Sequence, residues 1–459
     1  MTFDEKLKAR AEREGAPIPK GFDSRMDALL DTLPPQVQPA RKRRAPRLAV
    51  CIGVAAAMVV GAAAAAPAVL EMAQNAIDYF DQNQHSEYAN YQGKYEQFNA
   101  AVGMSDTNGD QTLTIDNIAV DDSYLMIFST LKSEAPLELQ DGEYATLSTR
   151  IKWTAPNFFA EINGELLDTS GPVEMEARLV DECTLTSVQR IVLKELLPDQ
   201  FDLLMYDGGT SDISQSDFQF EMSVDKSAVA VETLTVEPKQ DFTVDLSAEW
   251  NGETIHAHHE PRIERVSISP FGSTITLSEE AVDPLTNFVL RDDQGNFLPI
   301  LYTGSVGSEI GRATNTFEFL GADLDTRSVT LIPYLPEGRS HKVTGAVNTL
   351  PLTDGSESGF TLESLEIGDK QAIATFSIRG AMDYSNAQFS LLLADGTPLD
   401  TLADCYMDFS YDRENALCIT TIEYPDATPE QIAQITDVSF WQPNELTLVE
   451  EQAVTIDLQ

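Results

Sequence analysis

The chain is poor in the residues that carry most soluble chemistry. It has five histidines, four cysteines and three tryptophans in 459 residues, and only 30 Lys and Arg against 74 Asp and Glu. Four cysteines, at 51, 183, 405 and 418, are too few and too scattered to staple a chain of this length. Cys405 and Cys418 are close enough to pair across a hairpin, which would leave Cys183 alone. The sequence has no GxSxG elbow, no GxxxxGK[ST] and no GxGxxG, and the histidines have no evident serine or cysteine partner. No enzyme activity and no cofactor are expected.

The shortage of basic residues is uneven. Residues 1–47 carry 11 Lys/Arg and 7 Asp/Glu, a net of +4, whereas the rest carries 19 and 67, a net of −48. Nucleic acid and anionic lipid are held by cations that neutralise phosphates, so the acidic bulk excludes both as partners.

One uncharged run stands out, the 23 residues Leu48–Leu70 (LAVCIGVAAAMVVGAAAAAPAVL). About 20 apolar residues at 1.5 Å rise each cross a bilayer core, so this run is read as a transmembrane helix. Arg41, Lys42, Arg43, Arg44 and Arg47 crowd its N-terminal flank, while Glu71, Asp78 and Asp81 follow it. Basic flanks stay on the cytoplasmic side, which places the N-terminus inside and the acidic bulk outside the plasma membrane of a bacterium. The alanines at 62–66 also suit a signal peptidase, but 47 preceding residues are far more than a usual signal peptide has.

Before the run, GFDSRMDALLDTLP places Phe22, Met26, Leu29, Leu30 and Leu33 on one face of a helix that Pro34 and Pro35 end. A five-residue stripe in a segment of 46 residues builds no core and must rest on the membrane, on itself or on a partner protein. After the run, residues 71–101 read as a juxtamembrane helix with Tyr88, Tyr91, Tyr95 and Phe98 at helical spacing.

From residue 102 the pattern changes to short runs rich in Val, Ile, Thr, Phe and Tyr between Gly, Asp, Asn and Pro turns. The expected class is mainly β, with tandem immunoglobulin-like antiparallel β-sandwiches outside, one transmembrane helix and a short helical cytosolic segment. A shift of 101 residues aligns Phe288, Gly295 and Leu298 with Phe389, Gly396 and Leu399, and Ile275-Thr276-Leu277 with Phe376-Ser377-Ile378. SVTLIPY (328–334) and DVSFWQP (437–443) match at a larger offset. The expected units are therefore 1–46, 48–70, 71–101, a first sandwich at 102–262, a second at 263–352 and a third at 359–459.

Two groups invite a metal. Asp106, Asn108 and Asp110 have calcium-loop spacing, but Gln111 and Asn117 stand where such a loop needs Gly and a bidentate Glu. A polar hairpin turn explains them better. His256 and His258 would share one side of a strand, without a visible third ligand, so no metal site is expected.

The stretch VGMSDTNGDQTLTIDNIAVDDSYLMIFSTLKS (102–133) resembles the start of the bacterial family called domain of unknown function 4179. The order of parts agrees with it, from a segment like GFDSRMDALLDTLP through one apolar run to β domains, and VSISPFGSTITL (266–277) is similar to the opening of a second module in such proteins. The resemblance implies an anti-sigma-factor-like membrane regulator and brings no catalytic residues. A sigma factor would then be held by Phe22, Met26, Leu29, Leu30 and Leu33. The zinc signature His-x3-Cys-x2-Cys is absent, since no histidine precedes residue 85. The expectation is a signalling regulator whose ectodomain meets an unknown envelope ligand. The alternative is a cell-surface binding or adhesion protein with an inert cytosolic piece.

Overall fold

A computed structural model describes residues 100–459, apart from 141–146, 168–172, 194, 209–212, 227–232, 251–252, 270–271, 281–283, 307–312, 338–339, 384–385 and 413–414. The segment expected to be cytosolic, the apolar run and nearly all of the 71–101 stretch lie outside the described residues. Residues 100 and 101 begin a strand, and among the described residues no helix is long and apolar enough to cross a membrane.

The described chain is mainly β, in three units that each set two antiparallel sheets around an apolar core. The first contains β1 (Ala100–Asn108), β2 (Gln111–Val120), β3 (Tyr124–Ser133), helix α1 (Leu147–Thr154), β4 (Phe158–Ile162), β5 (Glu165–Leu166), β6 (Val173–Asp181), β7 (Thr184–Val192), β8 (Gln200–Asp207) and β9 (Gln219–Asp225). Its sheets run β1-β2-β3-β7-β6 and β5-β4-β8-β9. Alternation does the work: Leu125 and Ile127 of β3 face Phe201, Leu203 and Met205 of β8 within one core. The buried Gln189 amide accepts from Phe158 N at 2.7 Å and donates to Phe158 O at 2.9 Å, tying the two sheets together.

The second unit begins earlier than 263. β10 (Leu234–Val236) and β11 (Gln240–Asp241) pair with β14 (Arg262–Ser269), and β12 (Val244–Trp250) with β13 (Glu253–His259) forms a hairpin whose Val244 and Leu246 enter the second core. Then follow β15 (Gly272–Glu279), β16 (Phe288–Asp292), β17 (Phe297–Leu298), β18 (Ile300–Val306), β19 (Ala313–Phe319) and β20 (Ser328–Glu337). One sheet runs β10-β14-β15-β19-β18, and the other is built on β17-β16-β20.

The third unit holds β21 (His341–Ala346), β22 (Gly359–Ile367), β23 (Gln371–Arg379), β24 (Phe389–Leu393), β25 (Tyr406–Asp412), β26 (Leu417–Glu423), helix α2 (Pro429–Ile432) and β27 (Ile435–Gln442), in sheets β22-β23-β26-β25 and β21-β27-β24. Thr428 caps α2 through a reciprocal capping box with Gln431. The core closes where Phe376 of one sheet meets Phe440 of the other, ring centroids 5.3 Å apart and edge to face.

The internal repeat is visible in the sheets. The order β14-β15-β19-β18 recurs as β22-β23-β26-β25, and the offset grows from 101 residues between β16 and β24 to 107 between β20 and β27. Gly295 and Gly396 hold the same turn, at φ 90° and 82°, where a side chain would be strained. β2-β3-β7-β6 has this order as well, so the first unit is a third copy that the sequence did not reveal.

The last two units are interlocked. β21, which follows β20 in the chain, pairs with β27 of the third unit. β28 (Glu445–Leu448) and β29 (Val454–Asp457), which follow β27, return to pair with β20 of the second. Val449, Ile456 and Leu458 belong to the second core. The link 353–359 is therefore internal to the third unit's strands and does not separate two independent sandwiches.

Candidate functional site

The expected partner-binding residues Phe22, Met26, Leu29, Leu30 and Leu33 and the topology residues Arg41, Lys42, Arg43, Arg44 and Arg47 lie outside the described residues. The two candidate metal groups are occupied otherwise. Asp106 accepts from Thr107 N at 2.8 Å and Gln219 N at 3.2 Å, while Asn108 donates to Asp217 at 2.7 Å. With Asn108 opposite Gln111, the turn is a tight hairpin fastened to β9.

His256 and His258 do share the exposed side of β13, but His256 Nδ1 meets Ser247 Oγ at 2.8 Å and His258 lies between Asp245 (2.7 Å) and Glu260 (3.5 Å). Hydrogen bonding to Asp245 and then Glu260 raises the His258 pKa. Among the described residues no group of three metal ligands converges. Cys405 and Cys418 do not pair across the hairpin: Cys418 sits opposite Tyr411, and both thiols are free. The register of β25 against β26 puts Cys405 beyond the far end of the pairing.

Two features do gather side chains that could act. One is a cleft of about 320 Å³ in the third unit, between the edge strands β24 and β25. Phe389, Leu391, Leu399 and Ile422 form its buried floor. Its rim carries Lys342, Gln388, Asp400, Tyr406, Met407 and Trp441. Strand alternation explains the rim, because Phe440 turns into the core and Trp441 therefore turns out, 40% exposed.

Lys342 pairs with Trp441 across β21 and β27, and its Nζ lies 5.1 Å from the indole centroid, a cation–π contact. Burial pushes the Cys405 thiol in the cleft wall up to about 11, with Asp400 and Asp404 adding to the rise, so it stays neutral. From the first unit, Lys152 Nζ reaches Asp408 at 2.5 Å, and Trp153 beside it is 48% exposed. Met407 and Trp441 on this rim are two of the seven exposed large apolar side chains among the described residues. Apolar exposure concentrated within a polar rim marks a contact surface.

The second feature is the junction of the first and second units. Arg190 of β7 and Glu318 of β19 are 0% and 1% exposed and form a two-pronged ion pair at 2.5 and 2.9 Å. Tyr124 donates to the same carboxylate at 2.7 Å and lies under the guanidinium, 4.8 Å from ring centre to Cζ. Gly272, at φ 146°, permits this approach, since a Cβ there would meet Tyr124 Oη at 2.7 Å. Ser269 donates to Asp121, and Arg265 donates to Leu193 O. Burial lowers the Arg265 pKa.

Burial also raises Asp121 to about 6, against the opposing pull of hydrogen bonds from Ser269, Ser123 N and Tyr124 N. The native state thus holds this proton more tightly than the unfolded chain. The resulting stability is full below the unfolded value near 3.8 and is lost as pH rises through about 6. Between pH 7 and pH 5 the wild type is expected to gain on the order of 1 kcal/mol over D121N in urea unfolding. Parallel pH profiles of the two proteins would contradict this.

The sequence did not single out either feature. Trp441 was legible as an outward residue in DVSFWQP, but its meeting with Lys342 and the 405–407 strand needed the pairing of β21 with β27.

Comparison with known proteins finds a family model that matches part of the chain. Residues 40–133 match the domain of unknown function DUF4179. The DUF4179 match starts at the basic flank, takes in the apolar run and ends with β3. No curated protein matches the chain. Among solved structures, the crystal structure of the conserved domain protein from Bacillus anthracis is 13% identical, with 82% of this chain and 95% of that one covered and a TM-score of 0.35. The N-terminal eight Ig domains of Down Syndrome Cell Adhesion Molecule are 11% identical, with 76% and 42% covered and a TM-score of 0.14.

Proposed function

We propose that this protein is a single-pass, anti-sigma-factor-like membrane signalling regulator whose ectodomain senses an envelope ligand. The observation that carries the reading is the span of the DUF4179 match, which joins the basic flank, the one long apolar run and the first three strands in a single block. A block of that kind connects an outside sensor directly to an inside segment.

The three outer units are read as immunoglobulin-like. Their sheet orders β2-β3-β7-β6, β14-β15-β19-β18 and β22-β23-β26-β25 correspond to A-B-E-D and β4-β8-β9 to C-F-G, while in the third unit β24 and β27 take the places of C and F and β21, which precedes strand A in the chain, takes that of G. The cytosolic stripe Phe22, Met26, Leu29, Leu30 and Leu33 supplies the apolar face that would hold a sigma factor. No catalytic role, cofactor or nucleic-acid partner is proposed.

The test uses the full-length protein in its own membrane. A reporter ahead of residue 40 is expected to lie inside the cell, and affinity capture is expected to retain a sigma factor that L29D/L30D releases. A reporter found outside, or capture that recovers no sigma factor from the intact protein, sinks the reading. An unchanged phenotype after deletion of residues 1–40 would leave a surface-binding protein instead.

A further inference from the structure

We propose that the cleft between β24 and β25 of the third unit binds an uncharged glycan chain, with Trp441 as the stacking platform. The proposal deepens the sensing role above by naming the ligand class, and its test does not involve the cytosolic segment.

Four observations converge on a sugar. The cleft measures about 320 Å³, at the lower end of small-molecule sites and suited to one ring-sized group at a time. Its surfaces are divided as a pyranose is: an apolar floor and an indole face for the C–H side of a ring, and a rim of Gln388, Asp400 and Lys342 for hydroxyls. A purely greasy ligand would strand those polar groups, and a purely polar one would leave the indole bare.

Charge narrows the choice further. Lys342 and Asp400 cancel within the cleft, and the chain beyond residue 47 has a net charge of −48 that repels any polyanionic polymer. The cleft is also open along the strand edges, so a chain of rings could extend beyond it. The Lys342 ammonium is already steadied over Trp441, so its remaining donors are aimed without further ordering.

The experiment titrates full-length protein in lipid nanodiscs with the tetrasaccharide of β-1,4-linked N-acetylglucosamine, read by calorimetry and tryptophan fluorescence. Saturable binding is expected with Kd of about 10 μM to 1 mM, accompanied by a fluorescence change. W441A should weaken it at least about tenfold and W441F much less, because the exposed indole is dispensable for folding. Raising salt should leave the affinity unchanged, since neither partner relies on net charge. Absence of heat up to about 10 mM sugar, or equal binding by W441A, overturns the proposal. So does a cleft that takes up an extended apolar peptide along the β25 edge and no sugar.

Discussion

Replacing Glu318 with alanine is expected to lower stability by about 3–5 kcal/mol and to loosen the first unit from the second. The carboxylate is 1% exposed and answers two donors of Arg190 and the hydroxyl of Tyr124. Without it, a guanidinium that is 0% exposed loses both prongs of this pair, and weakening the compensation of a buried cation is among the costliest single changes available.

The matched control is the double substitution R190M/E318L, which removes both charges at similar volume. It should recover most of the loss, because desolvating two ions offsets much of their attraction. Urea unfolding measures the first effect, and hydrogen exchange across β3, β7 and β19 locates it. An E318A loss below about 1 kcal/mol would show that water reaches the pair.

Ending the chain after Pro443 is expected to damage the second unit more than the third, although the missing residues follow the third in sequence. The deletion removes β28 and β29, which pair with β20 alongside β16, and takes Val449, Ile456 and Leu458 from the second core. At about 1.5–3 kcal/mol for each buried aliphatic side chain, the loss is on the order of 5 kcal/mol before any backbone hydrogen bonds are counted. Amide exchange should accelerate first in β16 and β20. Exchange that quickens only in β22 to β27 would mean that the return of the C-terminal strands is not what completes the second core. The same interlocking predicts that cutting the 353–359 link leaves the two pieces associated, since each unit keeps a strand supplied from the other side of the cut.

Much of the β architecture was legible because strands announce themselves locally. Alternation in QTLTIDNIAV and SYLMIFSTL, the Asn-Gly turn and the repeated glycine at 295 and 396 all act within a few residues of one another. The extent of each unit was less legible. Residues 234–259 look like a continuation of the first β domain, yet they pair with and pack beside β14. The pairing of Cys405 with Cys418 suggested by their spacing failed because register, and not separation, decides which residues face each other across a hairpin.

The candidate site divides along the same line. A polar turn at 106–110 and a histidine cluster at 256–259 are conspicuous in the sequence, and the structure employs both as local fasteners. The cleft is inconspicuous because its parts come from Lys342, the 388–407 stretch and Trp441, up to 99 residues apart, and no short motif encodes such a meeting.

The sequence alone determined the division of charge around a single apolar run, the strand-forming character of the part beyond residue 102 and the presence of a repeat. Those properties depend on composition and short-range spacing, which survive without knowledge of the fold. Only the tertiary structure decided that the C-terminal strands complete the second unit, that Arg190 finds Glu318, and that Trp441 and Lys342 stand over one cleft. Each of these joins residues tens to more than a hundred positions apart, and which distant edges and charges meet is settled by packing the whole chain at once.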